Sequence, residues 1–344
     1  MEINVSVSEG QNEARARWGT HASGAAFDKK KASYLTSQAQ AFIAQQVLCV
    51  MAGQGLQGEP RGLIVMGLPG FVTTPNAYTC LVHIDHYPET SYLFQALLHA
   101  HLSGYVTHLG LCFIRHATRE RLCVQGEAEI VTDNISDDGI WIRLHVQQAF
   151  FHCPKYIRTN VAGLTSPAQP RLLPEQLLKL VEAHQTSLSK DIQSFIAQQT
   201  VCFLCTVDRS GRAAVNHRGG APGFLVTQPP SLAIPGGIVL LPDYEGNGAF
   251  EALGNILETD QAALVIPSYV DQLALCITGR ACVLEPGELP SGLRHRCTGA
   301  KRIVVLCVEH VEQQTGGWAA PLAFEYARSQ SPQARDERGT CCSF

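Results

Sequence analysis

The feature of this sequence that most constrains its fold is an internal repeat. The run Phe42–Gln46 recurs unchanged as Phe195–Gln199, 153 positions further along the chain. Two more pairs of segments match at the same offset, namely Pro69–Phe71 with Pro222–Phe224 and Leu122–Gly126 with Leu275–Gly279. Three matches at one offset are not expected by chance, and the period is too long for a solenoid repeat. The 344 residues therefore predict two copies of one domain.

The repeat also sets the predicted domain boundaries. Copy one is expected to cover residues 1–164 and copy two residues 191–332, with a tail at 333–344. The segment 165–190 between them is expected to be a turn-rich linker followed by a helix. That helix is predicted over Leu173–Leu188, where the apolar residues have helical spacing.

Each copy is predicted to be mainly β with some α. Both begin with a helix that ends near Gln46 or Gln199, and a run of short strands follows. In copy two these strands are expected at 201–207, 213–216, 224–227, 237–241, 262–266, 273–284 and 302–308. Many short strands with few helices indicate a small barrel or sandwich.

Composition limits the class of function. Only 16% of the residues are charged and the net charge is −4, which argues against disorder and against the basic surface of a general nucleic-acid binder. The low charge indicates extra buried surface, either between the two copies or between the chains of a homodimer. We see no secretory signal and no apolar run of the ~18–20 residues that cross a bilayer. We therefore expect a cytoplasmic protein with neither a nucleic-acid nor a membrane partner.

The cysteines and paired histidines are not expected to bind metal. Most of the 13 cysteines lie inside apolar runs, where reduced cysteine behaves as a small hydrophobe. Cys202 and Cys205 have CxxC spacing, but on a strand residues three apart face opposite sides. Metal-binding histidines usually need supporting carboxylates and a third ligand, and the spacing of His83–His86 and His99–His101 matches no metal-enzyme signature such as HExxH.

Copy two contains an arginine beside paired glycines in Asn216–Phe224. Glycines let a backbone approach a ligand closely, and a guanidinium offers a planar fork to phosphate or carboxylate. Local spacing alone favours a glycine-rich turn with a solvated arginine. Further along the chain, Pro242–Asn255 (PDYEGNGAFEALGN) and Thr278–Ala281 (TGRA) follow in order.

Together these segments resemble a family of flavin-binding split barrels related to pyridoxamine 5′-phosphate oxidase. Copy one is similar to the partner half of that family through Ala117–Gly126 and through Gln147–Ile157, which contains Cys-Pro-Lys-Tyr-Ile. The resemblance extends from about Glu9 to about Pro332. It implies two FMN-binding split β-barrels that form an intramolecular pseudo-dimer, with FMN as the cofactor. One departure is Asn216, where members of the family usually have serine.

The two copies retain different parts of this pattern. At the offset of 153, Val65 of copy one stands where copy two has Arg218. Lys155 of copy one has no lysine counterpart in Gln313–Trp318, near the end of copy two. The simplest account is a single ligand site at the interface between the copies, and we expect Lys155 and Arg218 to line it together.

The resemblance implies a set of cofactor-binding residues. Arg218 would pair with the FMN phosphate, Gly219–Gly220 would supply N–H donors and space, and Lys155 would lie near the phosphate or the reduced ring. The other candidates are Asn216, His217, Tyr156, Asn247, Asn255, Arg119 and Arg121. Arg119 and Arg121 are expected on one face of a strand, with a surface charge pair as the alternative.

The resemblance implies an FMN-binding oxidoreductase acting on a small-molecule substrate or reductant such as NAD(P)H. No catalytic acid or nucleophile stands out. A non-catalytic carrier or sensor of flavin or another phospholigand is therefore the alternative, and a relic that binds no flavin is a third interpretation. The sequence leaves open whether FAD or F420 replaces FMN. The separate substrate motif of the true oxidases is not recognisable, so that specific activity is not expected.

Overall fold

The computed structural model describes residues 7–85, 91–136, 139–170 and 185–330. The predicted linker helix lies mostly outside these residues, as does the tail. At its predicted end, Gln185 instead makes an isolated β-bridge with Val311, and the next helix begins at Lys190. The domain boundaries at residues 164 and 191 remain predictions.

The described residues form eight α-helices, fourteen β-strands and two short 3₁₀ helices. The helices are α1 (Glu9–Arg17), α2 (His21–Asp28), α3 (Ser37–Ile43), α4 (Tyr92–Leu102), α5 (Lys190–Gln198), α6 (Glu251–Thr259), α7 (Ser291–Arg294) and α8 (Ala319–Ser329). The first seven strands are β1 (Leu48–Gln54), β2 (Pro60–Met66), β3 (Val72–Asn76), β4 (Thr79–Ile84), β5 (Thr107–Arg115), β6 (Glu120–Ser136) and β7 (Gly139–Phe151). The other seven are β8 (Val201–Val207), β9 (Ala213–Gly219), β10 (Val226–Gln228), β11 (Ile238–Asp243), β12 (Gln261–Ser268), β13 (Leu273–Leu284) and β14 (Arg302–Thr315).

The strands form two seven-stranded antiparallel sheets with the same topology. Their orders are β2-β1-β5-β6-β7-β4-β3 and β9-β8-β12-β13-β14-β11-β10, so each strand of the second sheet has a counterpart seven places earlier. A bulge follows Gln125 in β6 and Thr278 in β13, which are 153 residues apart. On the partner strands the unpaired residues are Gln147 and Glu309, which are 162 apart. The predicted mainly β, two-copy fold is confirmed.

Each sheet encloses its own apolar core, and a further cluster packs between the two halves. Strand β1 directs Cys49 and Met51 into the first core, whereas Val50 joins the shared cluster together with Phe203 and Val215 of the second half. Both faces of β1 and β8 are therefore buried, which explains their nearly continuous apolar sequences and the low overall charge.

The buried cysteines fill these clusters as free thiols. Cys202 packs in the second core and Cys205 in the cluster between the halves, as strand alternation predicts. Burial raises the pKa of the Cys80 thiol to about 12, and a thiol held in that protonated form is a poor nucleophile. No helix in the part of the chain that the structure describes is long and apolar enough to cross a membrane.

The two ends of the described chain cross between the halves. Helix α1 packs on α6 so closely that a Cβ on Gly10 would come within 2.2 Å of the Gly254 carbonyl oxygen. At the other end, Arg328 of α8 donates to the carbonyl of Gln45 at 2.5 Å. The segment that leads into the first barrel therefore helps to build the second.

Candidate cofactor site

A cavity opens between the halves at the end of edge strand β9. The space between the halves at this point amounts to about 880 Å³ when the open solvent at its mouth is included. The first half contributes Arg121 of β6 and the residues that follow β7. The second half contributes the end of β9, the loop after β11 and the first turn of α6.

The cavity brings together most of the predicted site residues. Lys155 and Arg218 both line it, which is the arrangement expected from the division of motifs between the copies. The other predicted residues that line it are Tyr156, Asn216, His217, Gly219, Asn247 and Arg121. Their role in holding a cofactor remains a prediction.

Gly219 and Gly220 both make close contacts with the backbone of the protein itself. A Cβ on Gly219 would come within 2.6 Å of the Tyr156 carbonyl oxygen, so glycine is what allows the two halves to meet here. The N–H of Gly220 donates to the carbonyl of Thr200 at 3.0 Å and Gly220 does not line the cavity. Gly220 therefore does not supply the donor that the sequence predicted.

Two further candidates lie elsewhere. Asn255 is buried and its Nδ2 donates to Thr206 Oγ1 at 3.1 Å, beside a small separate cavity. Arg119 occupies a turn before β6 with a left-handed φ of 58°. The expectation that Arg119 shares a strand face with Arg121 is therefore wrong, because only Arg121 belongs to the strand.

The guanidinium of Arg218 lies next to a carboxylate that another arginine already holds. Asp243 Oδ2 accepts from Arg302 Nε at 2.8 Å, and the other oxygen, Oδ1, lies 3.3 Å from Arg218 Nη2. Nε of Arg218 has no partner in the described structure. One carboxylate for two guanidiniums leaves a positive charge at the cavity wall.

Arg121 adds a second, more deeply buried cation. It is only 8% exposed, and it donates to the carbonyls of His217 at 3.2 Å and Cys153 at 3.4 Å. Its Nε has no partner, and none of the ion pairs among the described residues includes it. A buried charge without a counter-charge is costly, so this wall of the cavity is suited to an anion or an electron-rich group.

Two histidines beside Arg121 are held neutral. Burial lowers the pKa of His217 well below its usual range, and the charge of Arg121 lowers it further. Burial and the charge of Arg121 also lower the pKa of His152 well below its usual range. Both ring nitrogens of His217 and Nε2 of His152 lack partners in the described part of the chain, so neutral imidazoles face the cavity with unused hydrogen-bonding capacity.

Tyr156 closes the mouth of the cavity from the first half. Its ring stacks on Tyr244 with centroids 5.6 Å apart, and its hydroxyl donates to the Glu245 carbonyl at 2.8 Å. Tyr156 has a left-handed φ of 65°, an unfavourable conformation for a non-glycine residue that the surrounding contacts must maintain. Exposed Lys155 precedes it at the rim.

A second cavity occupies the pseudo-symmetric position. It is lined by Leu63–Met66 of β2, the counterpart of Asn216–Gly219, and by Gln314–Pro321. At the offsets of 153 and 162, Val65 replaces Arg218 and Gly317 replaces Lys155. The amide of Gln314 is satisfied by Ile64 and Gly62. Among the described residues lining this cavity, none has a buried side-chain nitrogen or oxygen without a partner.

Several residues at the cavity were not among the sequence candidates. His152, Asp243 and Tyr244 line the cavity, and Arg302 holds Asp243 from behind. Asp243 and Tyr244 lie inside the Pro-Asp-Tyr segment at 242–244. A charged residue at the end of an apolar strand was the sequence signal that could have identified them. For Arg302 no signal existed, because its importance depends on the pairing of β11 with β14.

The chain is thus a pair of antiparallel split barrels with a cationic cavity between them. Residues 188–315 match the family model described as pyridoxamine 5′-phosphate oxidase. This match confirms the sequence resemblance for the second half. No curated protein sequence matches the chain.

Solved structures with similarity to this chain cover a little over a third of it. HupZ of Group A Streptococcus is 12% identical over 38% of this chain and 96% of its own, with a TM-score of 0.29. General Stress Protein 26 of Bacillus anthracis is 13% identical over 33% and 89%, with a TM-score of 0.24. An FAD binding protein of Mycobacterium smegmatis is 12% identical over 35% and 95%, with a TM-score of 0.23.

Proposed function

We propose that this chain binds flavin mononucleotide in the cavity between its halves and works as an FMN-dependent oxidoreductase. The observation that carries the proposal is the contrast between the two pseudo-equivalent cavities. The one at β9 has Arg121, Arg218 and Lys155 on its walls and buried nitrogens without partners. The other has Val65 and Gly317 at the positions of Arg218 and Lys155, and none of its described lining residues has a buried side-chain polar atom without a partner. An anionic ligand rich in hydrogen-bonding atoms fits only the first.

The residues present fit the parts of FMN. Arg218 and Lys155 would hold the phosphate, since a bidentate guanidinium and a compact ammonium both suit a dianion. Arg121, fixed by two carbonyls, would offer positive charge to the electron-rich edge of the ring. Tyr156 and Tyr244 would cover the ligand and exclude water. When bound, the flavin would supply hydride-transfer chemistry to a small-molecule partner.

The visible spectrum of the purified protein tests this proposal. We expect flavin absorbance that survives desalting, or that appears after FMN is added. We also expect bleaching under anaerobic NADH or NADPH. A flavin that stays oxidised with both reductants would contradict NAD(P)H-linked turnover and favour a carrier or sensor. Failure to bind FMN at all would reject the proposal.

The repeat supplies a matched pair of variants for the site. Arg218→Ala removes the cation at the end of β9, and Val65→Ala truncates its counterpart at the end of β2. We expect Arg218→Ala to weaken FMN binding at least tenfold, because a charge-assisted contact to phosphate contributes about 1.5–3 kcal/mol. Val65→Ala should leave it unchanged. Equal effects, measured by fluorescence titration, would contradict a single asymmetric site.

A further inference from the structure

Helix α6 begins at the cavity without a side-chain cap. Phe250, the residue before its first turn, has a left-handed conformation with φ 57° and ψ 30°. The counterpart helix α4 is capped conventionally, since Ser91 Oγ accepts from the N–H of Phe94 at 3.5 Å. The first N–H groups of a helix have no partner within it. In the part of the chain that the structure describes, no hydrogen bond uses the N–H groups of Phe250–Leu253.

Contacts from α1 fix the orientation of the peptide bond between Ala249 and Phe250, just before α6. The carbonyl of Ala249 accepts from Gln11 Nε2 at 2.7 Å and from Arg15 Nε at 3.3 Å. In a trans peptide the carbonyl and the following N–H point in opposite directions. The N–H of Phe250 therefore points away from α1, and Phe250–Leu253 line the cavity.

A second feature of the same cavity indicates a negatively charged occupant. Arg121 is more than nine-tenths buried, its Nε is unpartnered, and it lines the cavity with the first turn of α6. Positive charge from a guanidinium and from a helix N-terminus would repel each other across an empty space. A ligand that spans the cavity, with its anionic group at the helix N-terminus and an electron-rich portion at Arg121, would satisfy both.

The nearby carboxylates do not take this place. Asp243 is held by Arg302 and Arg218. The side chain of Glu251, in the first turn of α6, pairs with Lys31 of the N-terminal segment. Both carboxylates are therefore engaged by cations of the chain, and the backbone donors of α6 stay available.

We infer that the first turn of α6 is the backbone part of a phosphate subsite, with Arg218 as its side-chain part. The ligand class is a phosphate monoester whose organic portion lies towards Arg121 and His217. This inference rests on the proposed function only in naming FMN as the monoester. It differs from the sequence expectation, which gave the backbone donors to Gly219–Gly220.

Backbone amide spectra of the full chain test the subsite directly. We expect FMN and inorganic phosphate to shift the amide resonances of Phe250–Leu253, whereas riboflavin, which lacks the phosphate, should not. The amides of Tyr92–Phe94 in the capped helix α4 are the internal control. We further expect FMN to bind roughly a hundredfold tighter than riboflavin, because the Arg218 contact contributes at least tenfold and the α6 donors contribute the rest. Part of that preference should therefore survive in Arg218→Ala.

The outcomes separate the subsite from the proposed function. If FMN and riboflavin bind equally tightly, or if the α6 amides do not respond to FMN, the subsite is refuted while flavin binding stands. If neither flavin binds but phosphate shifts the α6 amides, the subsite stands and the flavin assignment fails. Loss of all preference for FMN in Arg218→Ala would show that the side chain alone holds the phosphate and would overturn the backbone role.

Discussion

At the scale of single residues, the site is built at a cost to the folded protein. Arg121 carries a charge into the interface between the halves and receives only two carbonyls in return. Its charge also favours the neutral form of His217 and His152. Such an arrangement is unfavourable without a ligand, and residues that lower stability in this way are commonly functional.

Arg121→Gln should therefore change stability and binding in opposite directions. The amide can still donate to a carbonyl, so the variant should be about 1 kcal/mol more stable in urea unfolding without ligand. Its affinity for FMN should fall about tenfold. Arg143→Gln, which removes an exposed guanidinium paired with Glu129, should change neither. A parallel loss of stability and affinity would show that Arg121 is structural.

Glu312 is a second buried charge with a consequence for pH. It is 2% exposed at the interface between the halves and its Oε1 has no partner in the described structure. Burial raises the pKa of this carboxyl to about 7, against the opposing effect of Arg61. The folded state thus keeps a proton that the unfolded state has released. Glu312 therefore costs nothing below about pH 4.5, and stability falls as pH rises to about 7.

Glu312→Gln should remove this pH dependence. The free energy of unfolding of the wild type should fall relative to the variant between about pH 4.5 and 7, by roughly 3 kcal/mol at most. Urea unfolding at several pH values measures the difference. Glu309→Gln, an exposed change on the same strand, is the control and should follow the wild type. Parallel curves for wild type and Glu312→Gln would exclude the raised pKa.

At the scale of elements, the packing of α1 on α6 holds the loop between β11 and α6 in place. The two helices meet at Gly10 and Gly254, and a Cβ on Gly254 would lie 2.5 Å from the backbone nitrogen of Gln11. The same helix α1 holds the Ala249 carbonyl through Gln11 and Arg15. Separation of α1 from α6 should therefore release the loop that orients the α6 donors.

Gly254→Ala tests this link between packing and binding. The added methyl group must push backbone away, which typically costs about 1–3 kcal/mol. We expect faster hydrogen exchange over residues 243–250 and weaker FMN binding. Gly287→Ala, at a glycine with open space around it, should be silent. Unchanged exchange in Gly254→Ala would show that the loop holds its shape without α1.

The same elements show how far the sequence predicts the structure. The sequence predicts β8 and β9 correctly, because apolar runs and turn residues act locally. It does not predict that α1 packs on the second half, since the buried residues of α1 include Gln11 and Arg15 and form no apolar face. Gly220 and Asn255 were misassigned for a related reason. Their partners, Thr200 and Thr206, are set by strand pairing and helix packing that no local motif encodes.

At the scale of the whole molecule, duplication has produced two cavities and only one retains the charged groups. Val65 stands at the position of Arg218 and Gly317 at that of Lys155, so no cation lines the second cavity among the described residues, and Asp85 lies on its wall. Gln314 accepts from the Ile64 N–H and donates to the Gly62 carbonyl at β2. In a symmetric dimer of single barrels both cavities would keep every group. Fusion of the copies allows one to specialise, and the other is then free to become structural.

This asymmetry predicts one flavin per chain. Calorimetric titration with FMN should give a stoichiometry of one, and Arg218→Ala should weaken that single event without exposing a second. Gln314→Ala is the complementary change at the second cavity, because it removes the hydrogen bonds of Gln314 with the Ile64 N–H and the Gly62 carbonyl. It should lower stability by about 1–3 kcal/mol and leave the stoichiometry at one, since no cation is gained. Two equivalent binding events would mean that the second cavity also binds FMN. The cations at β9 would then not determine the binding site.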